Sequence, residues 1–265
     1  MLGVKIARRA AGTVILSLLA SESIVPPTRA LAASAERESP VQDARAATVP
    51  PSAPAPLLAA LRSKIPIDPV AVSGNPYTIW HDKEPPSTPV GTVCGVRFEQ
   101  DQVHYHLNTF ANSAAAHGAG FAVTHFGACG TCSTLQDLAV YLEKADLTTP
   151  VRMCGIRVGA SASLTCLENI GFSNACAQTW LYNLQNTRDQ CLGACILSWI
   201  AGEAPTRKDG RLNACLQCDE DRSGPVFKAI AGRTRRNSGI QSSIPRQADE
   251  IGPVVHDYVP ELTPR

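Results

Sequence analysis

The chain of 265 residues carries 24 Lys and Arg against 23 Asp and Glu, a formal net charge of +1. That balance gives no global pull toward nucleic acid or an anionic membrane surface. Its 10 cysteines, an even number beginning at Cys94, point to a disulfide framework and away from a reducing compartment.

The chain opens like a secretory signal. Lys5, Arg8 and Arg9 precede an apolar run from Ala10 to Ala20, and Ala30-Leu31-Ala32 fits a small-residue cleavage site. The run is well short of the ~20 residues that a membrane-spanning helix needs, and no later stretch reaches that length. Arg8-Arg9 also admits a twin-arginine signal, and the acid-poor, Arg- and Ala-rich composition admits an organelle transit peptide. The expected location is secreted, periplasmic or otherwise extracytoplasmic, with organelle targeting as the alternative. After the signal at 1–32, residues 33–65 are rich in Ala, Pro and Ser and read as a linker. Residues 66–258 then form a single cysteine-rich domain, followed by a tail at 259–265.

Within the domain, residues 91–98 (GTVCGVRF) and 102–110 (QVHYHLNTF) hold β-formers in partial alternation around the polar turn Glu99-Gln100-Asp101. That pattern predicts a hairpin. His117-Gly118 breaks the chain before a third strand at 120–124. Ser133 is placed to cap a helix whose apolar face is Leu135, Leu138, Ala139, Tyr141 and Leu142. Thr149-Pro150 closes that helix, and 151–158 reads as one more short strand. From Ser161 the pattern is helical. A short helix surrounds Cys166, and a longer one starts at Ser173 and continues past Trp180, Cys191, Cys195 and Trp199. A last helix opens at Ser223-Gly224-Pro225 and ends among Arg233, Arg235 and Arg236. Strands first and helices after predict an α+β fold: a small N-terminal strand region followed by a disulfide-stapled helical half.

The segment from His125 to Ser133 runs from a strand through Cys129-x-x-Cys132 into a helix. A thiolate at a helix N-terminus is stabilised by free N–H groups and the helix dipole, and a nearby imidazolium lowers its pKa further. Under that reading Cys132 is the activated thiol, Cys129 its resolving partner and His125 the activating group. Under the other, both cysteines are oxidised and pin the turn. Strand, Cys-x-x-Cys and helix together resemble thioredoxin-like proteins, but the β-α-β unit expected upstream is missing. Gly127-Ala128-Cys129-Gly130-Thr131-Cys132 resembles the turn before the nucleophile of papain-like proteases. Phe126 stands where that family has Gln, Ser133 where it has Trp, and no Asn follows His256. Neither likeness extends beyond this turn, so neither implies a fold or an activity for the chain.

His104 and His106 are two apart on a predicted strand and so share a face. With His117 or His125 as a third ligand they could hold zinc or copper. Cys129-x-x-Cys132 and Cys215-x-x-Cys218 could form a four-thiolate zinc site if the chain stays reduced. Lys228, Arg235 and Arg236 form a candidate anion patch, although cations near a helix end also complement its dipole. Cys191 and Cys195, four apart on one helix face, are too poorly placed to bond each other. Their expected partners lie among Cys166, Cys176, Cys215 and Cys218, and Cys94 and Cys154 complete the disulfide candidates.

Three functions fit these features. The first is an exported disulfide-rich protein with a thiol-centred reactive or ligand-binding site at 125–133. The second is a non-catalytic secreted binding or structural module with every cysteine in a disulfide. The third is a histidine-based metal protein. The expected partner is a small molecule or a protein rather than nucleic acid, and zinc or copper enters only in the third reading.

Overall fold

The structure, a computed structural model, describes residues 52–80 and 83–259. The signal at 1–32, the start of the linker and residues 260–265 of the tail lie outside the described residues. Among those described, no helix is long and apolar enough to cross a membrane.

The first departure from expectation is helix α1 (Ala55–Ser63), inside the stretch read as linker. Leu58 and Leu61, three apart in an alanine-rich background, are buried against the body of the protein. Ala and Leu are strong helix formers, so once a partner covers that face the segment orders. The partner is α4 (Leu135–Glu143), with an ion pair from Arg62 to Glu143 at 2.8 Å along the contact.

The chain then contributes β1 (Ile65–Ile67) and a short α2 (Pro76–Ile79) before reaching the expected hairpin. β2 (Val93–Phe98) and β3 (His104–Phe110) pair antiparallel, Val93 opposite Phe110 and Phe98 opposite Tyr105. β1 adds parallel to β3, and β4 (Ala122–Phe126) adds antiparallel to β2, giving the order β1-β3-β2-β4. Alternation along β2 feeds two cores. Val96 faces the main one with Tyr105, Leu135, Leu138 and Leu167. Val93 faces a smaller one with Phe121 and Ala116 of α3 (Ser113–Gly118), the helix in which the predicted break at 117–118 falls.

The remainder is helical: α5 (Thr148–Gly155), α6 (Ala160–Ile170), α7 (Asn174–Ile200), α8 (Ala214–Arg222) and α9 (Gly224–Ala231). The strand expected at 151–158 is thus replaced by α5. Pro150 lies in the first turn of that helix, where a missing N–H has no intrahelical acceptor to disappoint, so it starts a helix rather than ending one. α7 starts near Ser173 as expected, and Ser173 caps it, its Oγ accepting from the Cys176 N–H. At 27 residues α7 is roughly 40 Å long. Its first turns bury Cys176, Ala177 and Leu181, whereas beyond Cys191 only Ser198 is buried.

All ten cysteines are in bridges: Cys94–Cys129, Cys132–Cys176, Cys154–Cys166, Cys191–Cys218 and Cys195–Cys215. The last two clamp α8 along the end of α7, which otherwise lacks a core of its own. The result is a mixed α+β molecule with a four-stranded sheet and a cross-linked helical half.

Candidate functional site

The His125–Ser133 segment is the most constrained part of the molecule. Beyond β4 the chain turns at Gly127, and Cys129 ties the turn back to β2 through Cys94. Thr131 and Cys132 then donate backbone hydrogen bonds to Ile230 and Ala231 at 3.0 and 2.9 Å, docking the loop on the end of α9. Gly130 is required there: a Cβ on it would lie 2.3 Å from the Ile230 carbonyl oxygen. Cys132 is buried and bonded to Cys176 in the first turn of α7. The two cysteines of the Cys-x-x-Cys turn therefore reach different elements rather than each other.

Ser133 does not cap α4. Thr134 does, accepting from the Asp137 N–H at 3.1 Å while its hydroxyl donates to the Asp137 carboxylate at 2.5 Å. Burial raises the Asp137 carboxyl to about 6, opposed by the Thr134 and Ser173 hydrogen bonds. Ser133 turns inward instead, its Oγ 2.7 Å from Nε2 of the fully buried His125 and accepting from the Gly130 N–H at 2.8 Å. Nδ1 of His125 lies 2.8 Å from the Phe126 carbonyl oxygen, which only accepts, so Nδ1 carries the proton and Nε2 accepts from Ser133. Burial, and then the Arg233 guanidinium, hold this imidazole well below its ordinary pKa. A neutral His125 has no charge to lend a thiolate.

Arg233 anchors the junction. It is completely buried, and each of its five N–H groups has an acceptor: the carbonyls of Cys132, Ser133 and Thr124, and the hydroxyls of Thr124 and Ser238. The Thr124 hydroxyl passes the chain to Tyr258 at 2.7 Å, and Tyr258 reaches Nδ1 of His256 at 2.9 Å. Nε2 of His256 lies 2.8 Å from the Ser238 carbonyl, so it holds the proton and the tautomer is fixed. Burial, then Arg233, lower His256 to about 4.

The other sequence candidates lie apart. His104 and His106 face the hairpin turn, paired with Asp101 at 2.5 Å and Glu99 at 2.6 Å. Both ring nitrogens of His125, their suggested companion, are already engaged with Ser133 and Phe126. Among the described residues no three His, Cys, Asp or Glu side chains are placed to hold one metal ion. The sulfurs of Cys129, Cys132, Cys215 and Cys218 are bridged and offer no thiolates. Lys228 pairs with Glu220 at 2.6 Å and Arg236 with Glu250 at 2.7 Å. Arg235 is folded over the Tyr141 ring and bonded to the carbonyls of Tyr141, Lys144 and Gln241, so the three cations have separate partners.

Two features were not singled out by sequence reasoning. One is Arg233, four of whose five acceptors lie about a hundred residues away and leave no local trace. The other is the outer face of α7, where Leu192, Ile196, Trp199 and Ile200 are exposed, Trp199 at 82 %. Their spacing of four, three and one is a helical stripe that adjoins the side holding Cys191 and Cys195. Gly193 borders that stripe, with nothing within 4 Å of where a Cβ would stand. A cleft of about 360 Å³ between Pro86, Thr92, Thr109 and Phe110 has no ionisable side chain in its lining.

Residues 160–254 match the model of a family of unknown function, DUF8771. The matched segment runs from α6 to past α9 and contains both bridges of the α7–α8 hairpin. No curated protein and no solved structure matches the chain.

Proposed function

We propose that this chain is an exported, non-catalytic recognition module whose cysteines all serve the framework. The observation that carries this reading is the fate of Cys132: its sulfur is bonded to Cys176 inside the main core, beside a histidine locked in its neutral form. A thiol mechanism needs an accessible sulfur and an activating group; here the sulfur is buried in a bridge, and the Arg233 guanidinium at the Cys132 carbonyl is engaged by five acceptors. Five cystines suit the oxidising compartment toward which the N-terminal signal pattern points. The apolar stripe on α7 supports protein binding. Large exposed apolar side chains on a helix held rigid from behind resemble an interaction face, and the adjacent glycine lets a second backbone approach closely.

Thiol titration of the secreted, unreduced protein in denaturant tests the reading. The expected count is zero. A reproducible free thiol assigned to Cys132 or Cys129 by alkylation mapping would overturn it and restore the reactive-site alternative.

A further inference from the structure

The geometry points to an oxyanion-binding site between α5, α6 and α7, suited to a phosphate group. It goes beyond the recognition reading without depending on it. Helix α6 begins at Gly159, whose φ of +89° and missing side chain leave the first turn with no side-chain cap. Unfilled N–H groups at a helix start, together with the helix dipole, attract an anion. That alone is common. Here the turn opens onto an enclosed pocket of about 70 Å³ whose lining includes Arg157, Arg188, Gln185 and Ser163 over a floor of Leu181 and Leu184. No carboxylate contributes to the lining.

Ser163 supplies the second, independent sign. It is only 4 % exposed, it faces this pocket, and its hydroxyl has no hydrogen-bond partner among the described residues. Its oxygen keeps contact with solvent through the pocket, where an oxyanion oxygen would find a donor. Arg188 is already oriented, its guanidinium donating to the Gly155 carbonyl at the end of α5 and leaving further N–H groups for a ligand. Arg157 is exposed at the mouth and can close over the anion. At ~15 Å³ per water the pocket has room for about five waters, enough for a phosphate.

The phosphate could be a free ion or the headgroup of a lipid. Ile156 and Val158 flank Arg157 in the chain and are 70 % and 96 % exposed, the arrangement that would let a lipid surface present its phosphates. The test uses the full chain with its native bridges, titrated with inorganic phosphate by calorimetry and thermal shift. Saturable binding is expected, weakened about tenfold in Arg157→Gln, since a charge-assisted hydrogen bond is lost. Ser163→Ala should weaken it severalfold; Arg188→Gln is avoided because that side chain also caps α5. Absence of saturable binding at millimolar phosphate, or binding that both variants leave unchanged, overturns the site. Co-sedimentation with phosphatidylcholine vesicles containing phosphatidic acid separates the two sources. Vesicle binding competed by inorganic phosphate and lost in Val158→Ser identifies a headgroup; phosphate binding without vesicle binding identifies a soluble ligand. A thiol count that overturned the recognition reading would leave these results untouched.

Discussion

The junction around Arg233 and the hairpin of α7 and α8 use the same cross-link for opposite ends. At the junction, Cys132–Cys176 lies within the main core, and Cys94–Cys129 ties its loop to the sheet; both are surrounded by buried hydrogen bonds and by a backbone contact close enough to demand Gly130. At the hairpin, Cys191–Cys218 and Cys195–Cys215 lie where almost nothing else is buried and an apolar stripe faces outward. In the first place a cystine reinforces packing that already exists; in the second it substitutes for packing that is absent. The contrast explains how a helix can keep its terminal turns ordered while leaving Trp199 and Ile200 uncovered.

The sharpest way to break this comparison is Arg233→Met. Removing the guanidinium leaves three carbonyls and two hydroxyls short of a donor in the interior. The expected loss is at least ~3 kcal/mol, read as a fall in the denaturant midpoint or as failure to be secreted. A variant within about 1 kcal/mol of wild type would mean the junction is not the anchor described here.

Next in size is removal of both hairpin bridges by Cys→Ser at 191, 195, 215 and 218. The loops closed span 27 and 20 residues. Chain-entropy reasoning gives about 3–4 kcal/mol for the first bridge and less for the second, whose loop is by then already closed. Hydrogen exchange should accelerate along the end of α7 and along α8 while the sheet stays protected. Uniform acceleration over the whole molecule would show that the hairpin is not a separate unit.

Acid titration comes third. His256 is held near 4 in the folded protein against an ordinary 6.5, so the unfolded chain takes up its proton first. Its contribution is therefore full above pH 6.5 and lost as pH falls toward 4, and His125 has the same sign. Asp137, raised from 3.8 to about 6, has the opposite sign: its contribution is present below 3.8 and lost as pH rises through 6. Burial raises Asp219 as well, which adds to the opposing side; the two histidines still set a net fall in melting temperature between pH 6.5 and 4, and His256→Gln should remove part of that drop. A flat profile in the wild type would contradict the buried, neutral histidines.

The smallest effect sharpens the hairpin side. Gly193→Ala adds a methyl where nothing stands within 4 Å, so it should raise stability by up to ~1 kcal/mol through helix propensity alone. A destabilised variant would reveal that something already occupies that face.

Sequence patterns made the hairpin of β2 and β3 readable, because their alternation needs only neighbours. The start of α7 near Ser173 and the outward bonding of Cys191 and Cys195 were readable for the same reason. The misread segments share a different cause. Residues 151–158 hold few enough β-formers that Pro150 decided the outcome, and it acted as a first-turn residue. α1 looked like linker because its two buried leucines find their partner, α4, far along the chain. At the candidate site the residues were noticed but their roles were not. Whether Ser133 caps a helix or holds His125 depends on Thr134 taking the cap, and the burial of Arg233 depends on Thr124, Cys132 and Ser133 arriving from far earlier in the chain.

The position of Arg233 late in the chain also sets an order on biosynthesis. Thr124, Cys132 and Ser133 emerge from the ribosome about a hundred residues before the side chain that will satisfy them, and His256 and Tyr258, which complete the network, come later still. A nascent polypeptide cut short between residues 218 and 233 carries all ten cysteines but bare carbonyls at its centre. Cellular quality control meeting such a fragment would find it cross-linked and yet unfinished.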